Sequence, residues 1–249
     1  MSNTKRPTVL ITGSSGGIGR ATAKRFADSG YQIVLHGFRH MDALTGLMES
    51  FATRDIPFMA IQADISDRAQ VFSMVERVLE QFKTIDVLVN NAGIAQQKLV
   101  TDVTEEEWQY MLGVNLSGPF YVCQAVLPNM ISRHEGRIIN VSSMWGTTGA
   151  SCEVPYSSVK AGLIGLTRSL AKEVGPAGVT VNCVAPGVIN TPMNAGISEH
   201  IMSELVAETP LCRIGVPQDV ADAIYYLASD AASFITGQVI GVNGGMVVG

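Results

Sequence analysis

Apolar residues along the 249-residue chain gather into seven short, nearly continuous runs, at 8–12, 31–35, 57–62, 86–89, 137–142, 179–184 and 238–242. Runs without polar alternation are expected where helices cover both faces of a parallel sheet. Between them, 17–29, 41–53, 67–82, 104–133, 155–174 and 217–229 place apolar residues at helical spacing. Regular strand–helix alternation predicts right-handed crossovers and an α/β fold, a single doubly wound parallel sheet with helices on both faces.

Local signals sharpen some boundaries. Asp67 is placed to cap the helix that carries Val71, Val75 and Val78, and Thr104 with Glu107 forms a capping-box pattern. Pro217 suits a first helical turn, where its missing N–H costs little. No linker-like stretch divides the chain, so one domain spanning 1–249 is expected. Only 191–213 interrupts the alternation; it is expected to hold a short helix and to cover a substrate site.

Composition narrows the class. The chain is 47% hydrophobic and 16% charged, which excludes a disordered protein, and its net charge of −5 argues against nucleic acid as a partner. Cys123, Cys152, Cys183 and Cys212 are scattered, without metal-ligand spacing, so reduced thiols and no metal are expected. The N-terminal residues lack the apolar core of a secretory signal, and no run approaches the ~20 apolar residues of a membrane span. These features predict a cytoplasmic protein with no membrane partner.

The first strand leads into Thr12-Gly13-Ser14-Ser15-Gly16-Gly17-Ile18-Gly19 and an alanine-rich helix. Glycines 13, 17 and 19 permit a tight turn and close approach of a pyrophosphate to a helix N-terminus, a dinucleotide reading; the alternative is a surface turn. Ser15 and Ile18 belong to the same turn. At the end of the second strand, Leu35-His36-Gly37-Phe38-Arg39-His40 offers no carboxylate for a ribose 2′-hydroxyl. Arg39 there favours a 2′-phosphate and hence NADP(H), with NAD still open and a solvated arginine the alternative. His36 and His40 are read as local polar contacts.

Asp64 follows the third strand and can accept from an adenine amine or cap a turn. Asn90-Asn91-Ala92-Gly93 follows the fourth and can border the cofactor crevice or hold adjacent backbone. Tyr156 and Lys160 share a helix face, and Ser143 lies just past a strand end. A tyrosine that passes a proton, a lysine that stabilises its phenolate and a serine that orients the carbonyl form a coherent constellation, although an exposed i,i+4 pair is the plainer alternative. Trp145, Met193 and Met202 are candidates for the substrate pocket, with loop packing as the alternative for Trp145.

With these motifs in place, the chain from Thr8 to Val242-Asn243-Gly244-Gly245 resembles the short-chain dehydrogenase/reductases, a family with a Rossmann fold. The resemblance implies that Tyr156 is the catalytic acid for reduction or base for oxidation, and that Ser143 orients the carbonyl. It implies that Lys160 holds the nicotinamide ribose and lowers the Tyr156 pKa, and that Asn115 anchors a water linking Lys160 to solvent. It further implies contacts to the dinucleotide from Asp64, Ile65, Asn91, Ala92, Gly93, Pro186, Gly187, Thr191 and the Val188 backbone. Tyr156 and Lys160 would also touch the cofactor, and Ser143 and Tyr156 the substrate.

Within the family, the stretches at 136–143, 160–165 and 182–187 are most similar to bacterial 3-oxoacyl-[acyl-carrier-protein] reductases. The implied reaction is NADPH-dependent reduction of a 3-oxoacyl thioester, in fatty acid biosynthesis, with acyl carrier protein as a partner and a homotetramer as the assembly. The chain departs from those enzymes at Gly16, Glu153, Pro155, His134 and Ala177, while Arg133, Arg168 and Lys172 remain as basic docking positions. The alternatives are an NAD(P)-dependent enzyme of an untethered ketone, sugar or secondary alcohol and a nucleotide-binding regulatory protein on the same scaffold.

Overall fold

A computed structural model describes residues 6–248; residues 1–5 and 249, which the single-domain expectation includes, lie outside the described residues. Seven strands form one sheet: β1 Thr8–Ile11, β2 Gln32–Gly37, β3 Phe58–Gln62, β4 Val87–Asn90, β5 Gly136–Val141, β6 Val179–Pro186 and β7 Val239–Val242. Every pairing is parallel, in the order β3-β2-β1-β4-β5-β6-β7. The order reverses between β1 and β4, which opens a crevice beyond their C-terminal ends.

Neighbouring positions on the strands feed opposite layers, which explains the continuous apolar runs. Leu10, Val34, Leu88, Ile138 and Val181 pack against α3 (Arg68–Phe82), α5 (Gly118–Arg133) and α7 (Val154–Val174). Val9, Ile11, Ile33, Leu35, Val89 and Ile139 face α1 (Gly17–Asp28), α2 (Thr45–Thr53) and α9 (Pro217–Ala228) on the other side. Fully burying one such aliphatic side chain contributes ~1.5–3 kcal/mol.

The expected caps form. The Asp67 carboxylate accepts from the Ala69 and Gln70 amides at 2.8 and 3.3 Å. Thr104 and Glu107 complete their capping box at the start of α4 (Glu105–Leu112). Pro217 occupies the first turn of α9.

The helix expected over 104–133 is not continuous. A π-helical turn, Gly113–Ser117, separates α4 from α5. Asn115 Nδ2 donates to the Met111 carbonyl at 3.1 Å, so its side chain enters the backbone ladder and widens it. The 41–53 element likewise begins as a 3₁₀ turn, Asp42–Leu44.

The 191–213 segment contains the expected short helix, α8 (Glu199–Glu208), none of whose side chains is buried. A further short helix, α6 (Trp145–Thr148), lies where the sequence pattern indicated a loop. Among the described residues no helix is long and apolar enough to cross a membrane, and no cluster of three His, Cys, Asp or Glu side chains could hold a metal ion.

Candidate active site

The C-terminal ends of β1, β4, β5 and β6 bring the glycine turn, Asn91, Ser143 and Gly187 to the rim of one crevice. Gly13 follows β1 with φ +67°, and a Cβ on it would stand 2.7 Å from the Ala92 Cα. A Cβ on Gly17 would meet Thr191 Cγ2 at 2.8 Å, so the start of the 191–213 segment rests on the glycine turn. Gly16 precedes α1 without a capping side chain, leaving the first amides of the helix uncapped. A close-approach turn joined to an uncapped helix N-terminus fits a dinucleotide pyrophosphate.

Several polar contacts fix this turn. Thr12 Oγ1 accepts from the Asn91 and Ala92 amides at 3.0 and 3.1 Å. Asn91 Nδ2 donates to the Thr12 and Gly13 carbonyls, both at 3.0 Å, so its side chain braces the turn. His36 Nδ1 accepts from the Gly13 amide at 3.2 Å, while its other nitrogen lies 2.9 Å from the Ala63 carbonyl. Since a backbone amide can only donate, the His36 proton sits on Nε2. Burial pushes the His36 pKa below its ordinary value. His36 was expected to make a local polar contact, and it proves to bridge β2 to the glycine turn; Thr12 was expected only as part of the glycine motif, not as the acceptor that fixes it.

Among the residues expected on the adenosine side, Arg39 is exposed, with its guanidinium 5.2 Å from the Tyr110 ring centre. Ser15 stands near Gly37 at the end of β2. Asp64 forms the turn cap left open as its alternative role: Oδ1 accepts from the Ser66 amide at 2.9 Å and from the Ser66 hydroxyl at 2.6 Å. The Ile65 side chain is buried in the core, and both it and the Ile65 carbonyl stand against Gly118.

Ser143, Tyr156 and Lys160 converge. Ser143 lies two residues past β5, and the other two occupy one face of α7. The neighbouring Ser143 hydroxyl favours the ionised form of the Tyr156 phenol. Burial and the Glu153 charge act in the opposite direction, and the phenol is pushed up to about 12. Lys160 Nζ lies 5.5 Å from the Tyr156 ring centre and donates to the Val141 carbonyl at 2.9 Å. Burial pulls the Lys160 pKa down to about 8.

The resemblance implies that Lys160 lowers the Tyr156 pKa; here the phenol stands above its ordinary value because burial outweighs the influence of Ser143. Ser142, which the sequence reading did not single out, donates from Oγ to the Lys160 carbonyl at 2.9 Å and ties β5 to α7.

Asn115 is fully buried; its Oδ1 accepts from the Ile94 amide at 3.2 Å and its Nδ2 donates to the Ile94 carbonyl at 3.1 Å. Gly93 lets Asn115 and Lys160 approach each other: a Cβ there would stand 2.7 Å from Asn115 Oδ1 and 3.3 Å from Lys160 Nζ.

Among the residues expected to border the nicotinamide, Pro186 ends β6 and Gly187 donates to the Val242 carbonyl at 3.0 Å. The Val188 carbonyl accepts from Gly215 at 2.9 Å, so this part of its backbone is already engaged. Trp145 opens α6, half-buried, and its amide donates to Ser143 Oγ at 3.2 Å. Met193 is exposed and Met202 half-buried on the 191–213 segment.

Fold and site together define a dinucleotide-binding Rossmann oxidoreductase. Residues 13–247 match the family described as Enoyl-(Acyl carrier protein) reductase, and the chain belongs to the short-chain dehydrogenase/reductase family. It is 39% identical to the 3-oxoacyl-[acyl-carrier-protein] reductase FabG of Staphylococcus aureus over 239 residues, covering 96% of this chain and 97% of that one. Identity to the enzyme of the same name from Thermotoga maritima is 41% over 241 residues, again covering 96% and 97%. A crystal structure of a short-chain dehydrogenase/reductase from Brucella melitensis, named glucose/ribitol dehydrogenase, superposes with a TM-score of 0.91 at 34% identity, covering 98% of this chain and 97% of that one.

Proposed function

We propose that the chain reduces the keto group of 3-oxoacyl thioesters with NADPH. The observation that carries this reading is the convergence of Ser143, Tyr156 and Lys160 beside a glycine turn that fits a pyrophosphate. Relatives 39% and 41% identical across nearly the whole chain bear the corresponding reductase name.

A bound nicotinamide supplies the hydride to the carbonyl carbon. Ser143 donates a hydrogen bond to the carbonyl oxygen, and Tyr156 transfers its phenolic proton to that oxygen, which yields a secondary alcohol. A phenol with a pKa of about 12 is protonated at neutral pH, as a proton donor must be. Lys160 holds the nicotinamide ribose and supplies positive charge as the phenolate forms. Asn115 is a positioning residue that holds the 94–95 backbone beside Lys160 and anchors the linking water. Asp64, Ile65, Asn91, Ala92, Gly93, Pro186, Gly187, Val188 and Thr191 line the dinucleotide, and Arg39 meets its 2′-phosphate.

The 191–213 segment covers the substrate, with Met193 and Trp145 against the acyl part. Arg168 and Lys172 are exposed one turn apart on α7, which suits docking of an acidic carrier protein. Arg133 is withdrawn from that role, since its guanidinium holds Asp86 at 2.6 Å. Exposed apolar side chains at Phe120 and Ile131 on α5, Val154 on α7 and Ile240 on β7 support a homotetramer.

A second reading, oxidation of an untethered sugar or secondary alcohol, is favoured by the name of the Brucella melitensis structure. Steady-state rates on acetoacetyl thioesters, free ketones and sugars, each with NADP(H) and NAD(H), test both. The thioester with NADPH is expected to give the highest kcat/KM; a sugar preferred over every thioester would replace the first reading with the second.

A further inference from the structure

We propose that Thr167 is a positioning residue for the reaction: its buried hydrogen bond with Asn140 fixes α7 along β5 and so holds Lys160, two helical turns away, at the crevice. The inference rests on the role given to Lys160 under the thioester reading.

Polar ties join β5 to α7 at two places. At the crevice end, Ser142 Oγ donates to the Lys160 carbonyl and Lys160 Nζ donates to the Val141 carbonyl, both at 2.9 Å. Deeper in the molecule, Asn140 Nδ2 donates to Thr167 Oγ1 at 2.9 Å. Asn140 and Ser142 are two residues apart along β5 and its exit, so they point to the same side of the sheet. Positions 160 and 167 lie seven residues apart, two turns of helix, and share the face that meets the strand.

The Thr167 hydroxyl is committed on both sides, since it donates to the Leu163 carbonyl at 2.8 Å and accepts from Asn140. Asn140 Oδ1 in turn accepts from Asn90 Nδ2 on β4 at 2.9 Å. Asn140 and Thr167 expose no surface, and Asn90 is buried beside them. The residues around this tie are apolar: Ile138 on β5 and Ala171 and Val174 on α7 belong to one core.

Apolar packing is non-directional, so a helix that tilts slightly keeps most of its buried area. A hydrogen bond in a dry core is lost on a small misalignment and leaves its groups unsatisfied. Held only at Lys160, α7 could pivot about that residue; the second tie at Thr167 removes the freedom. A pivot would carry the ammonium with it, because the Lys160 backbone and side chain are both bound to the end of β5. Gly146 shows how little slack exists there: a Cβ on it would stand 2.7 Å from Ser142 Oγ and 3.0 Å from Lys160 Cβ.

The test compares Thr167→Val, which removes the hydroxyl and keeps the shape, with Thr167→Ser, which keeps the hydroxyl. Val174→Ala, a buried truncation on the same helix that touches no polar tie, controls for lost stability. Urea unfolding and steady-state rates on an acetoacetyl thioester with NADPH are measured for each. In Thr167→Val kcat is expected to fall about ten- to a hundredfold, with a smaller change in the thioester KM, the signature of a displaced reacting group. Thr167→Ser and Val174→Ala are expected to stay near the wild-type kcat. An unchanged kcat in Thr167→Val would overturn the proposal, as would a Thr167→Ser variant equally slow. Should Thr167→Val fail to fold, Thr167→Ala removes the same hydroxyl and leaves Asn140 more room. Crystal structures supply a readout apart from turnover: Lys160 Nζ is expected to leave the Val141 carbonyl in the hydroxyl-free variant, and its retention there would contradict the inference. Inactivity of the wild type on every oxo compound would remove the thioester reading, and the crystal structures would then decide for or against Thr167.

Discussion

The Lys160 ammonium is held by the Val141 carbonyl at 2.9 Å while it lies 5.5 Å from the centre of the Tyr156 ring. The charge proposed to act in catalysis is thus buried on one backbone oxygen. Its folded pKa of about 8 is below the ordinary 10.5, so between those values the unfolded chain binds the proton that the folded chain has lost. Stability from this group therefore rises with pH across that window and is depressed below it. Denaturant unfolding of the wild type and Lys160→Met at several pH values should give a difference that follows this slope. A pH-independent difference would contradict it.

Gly93 is where the site leaves no room for a side chain. The methyl of Gly93→Ala would press on Asn115 Oδ1 and Lys160 Nζ. Urea unfolding should show a loss of ~1–3 kcal/mol from overpacking, and turnover should fall with it. Wild-type stability and rate in this variant would mean that the two side chains can move apart freely.

His36 should make stability sensitive to mild acid. Its folded pKa lies below the ordinary 6.5, so as pH falls through that value the unfolded chain protonates first and folded stability declines. Protonation would also remove the acceptor for the Gly13 amide. In His36→Gln the decline attributable to this group should vanish, as followed by unfolding midpoints between neutral and mildly acidic pH.

Arg39 should set the choice of dinucleotide. Replacing it with alanine is expected to lower the NADPH-over-NADH ratio of kcat/KM by about ten- to a hundredfold, the worth of one charge-assisted hydrogen bond. An unchanged ratio would make it a surface charge resting on Tyr110.

Much of this fold was legible in the sequence because its strands are buried on both faces, so that Leu10 and Ile11 are both apolar although they face opposite layers. All seven strands lie within two residues of their expected bounds. The break between α4 and α5 was not legible: Val114 and Leu116 continue the apolar spacing through it. Its cause is a polar insertion by Asn115 that depends on Ile94, twenty-one residues away. The same limit applies at the site. Helical spacing puts Tyr156 and Lys160 on one face, but the Val141 carbonyl that captures the lysine comes from a strand nineteen residues earlier. Asp64, read as an adenine contact or a turn cap, is seen to cap Ser66.

Tyr156→Phe tests the central claim most directly, because it removes one oxygen and keeps the ring in place. Reduction of an acetoacetyl thioester is expected to fall by about 10²–10⁴ in kcat, the usual contribution of a positioned proton donor, while NADPH binding, followed by its fluorescence, stays close to that of the wild type. A variant that turned over as fast as the wild type would contradict the account.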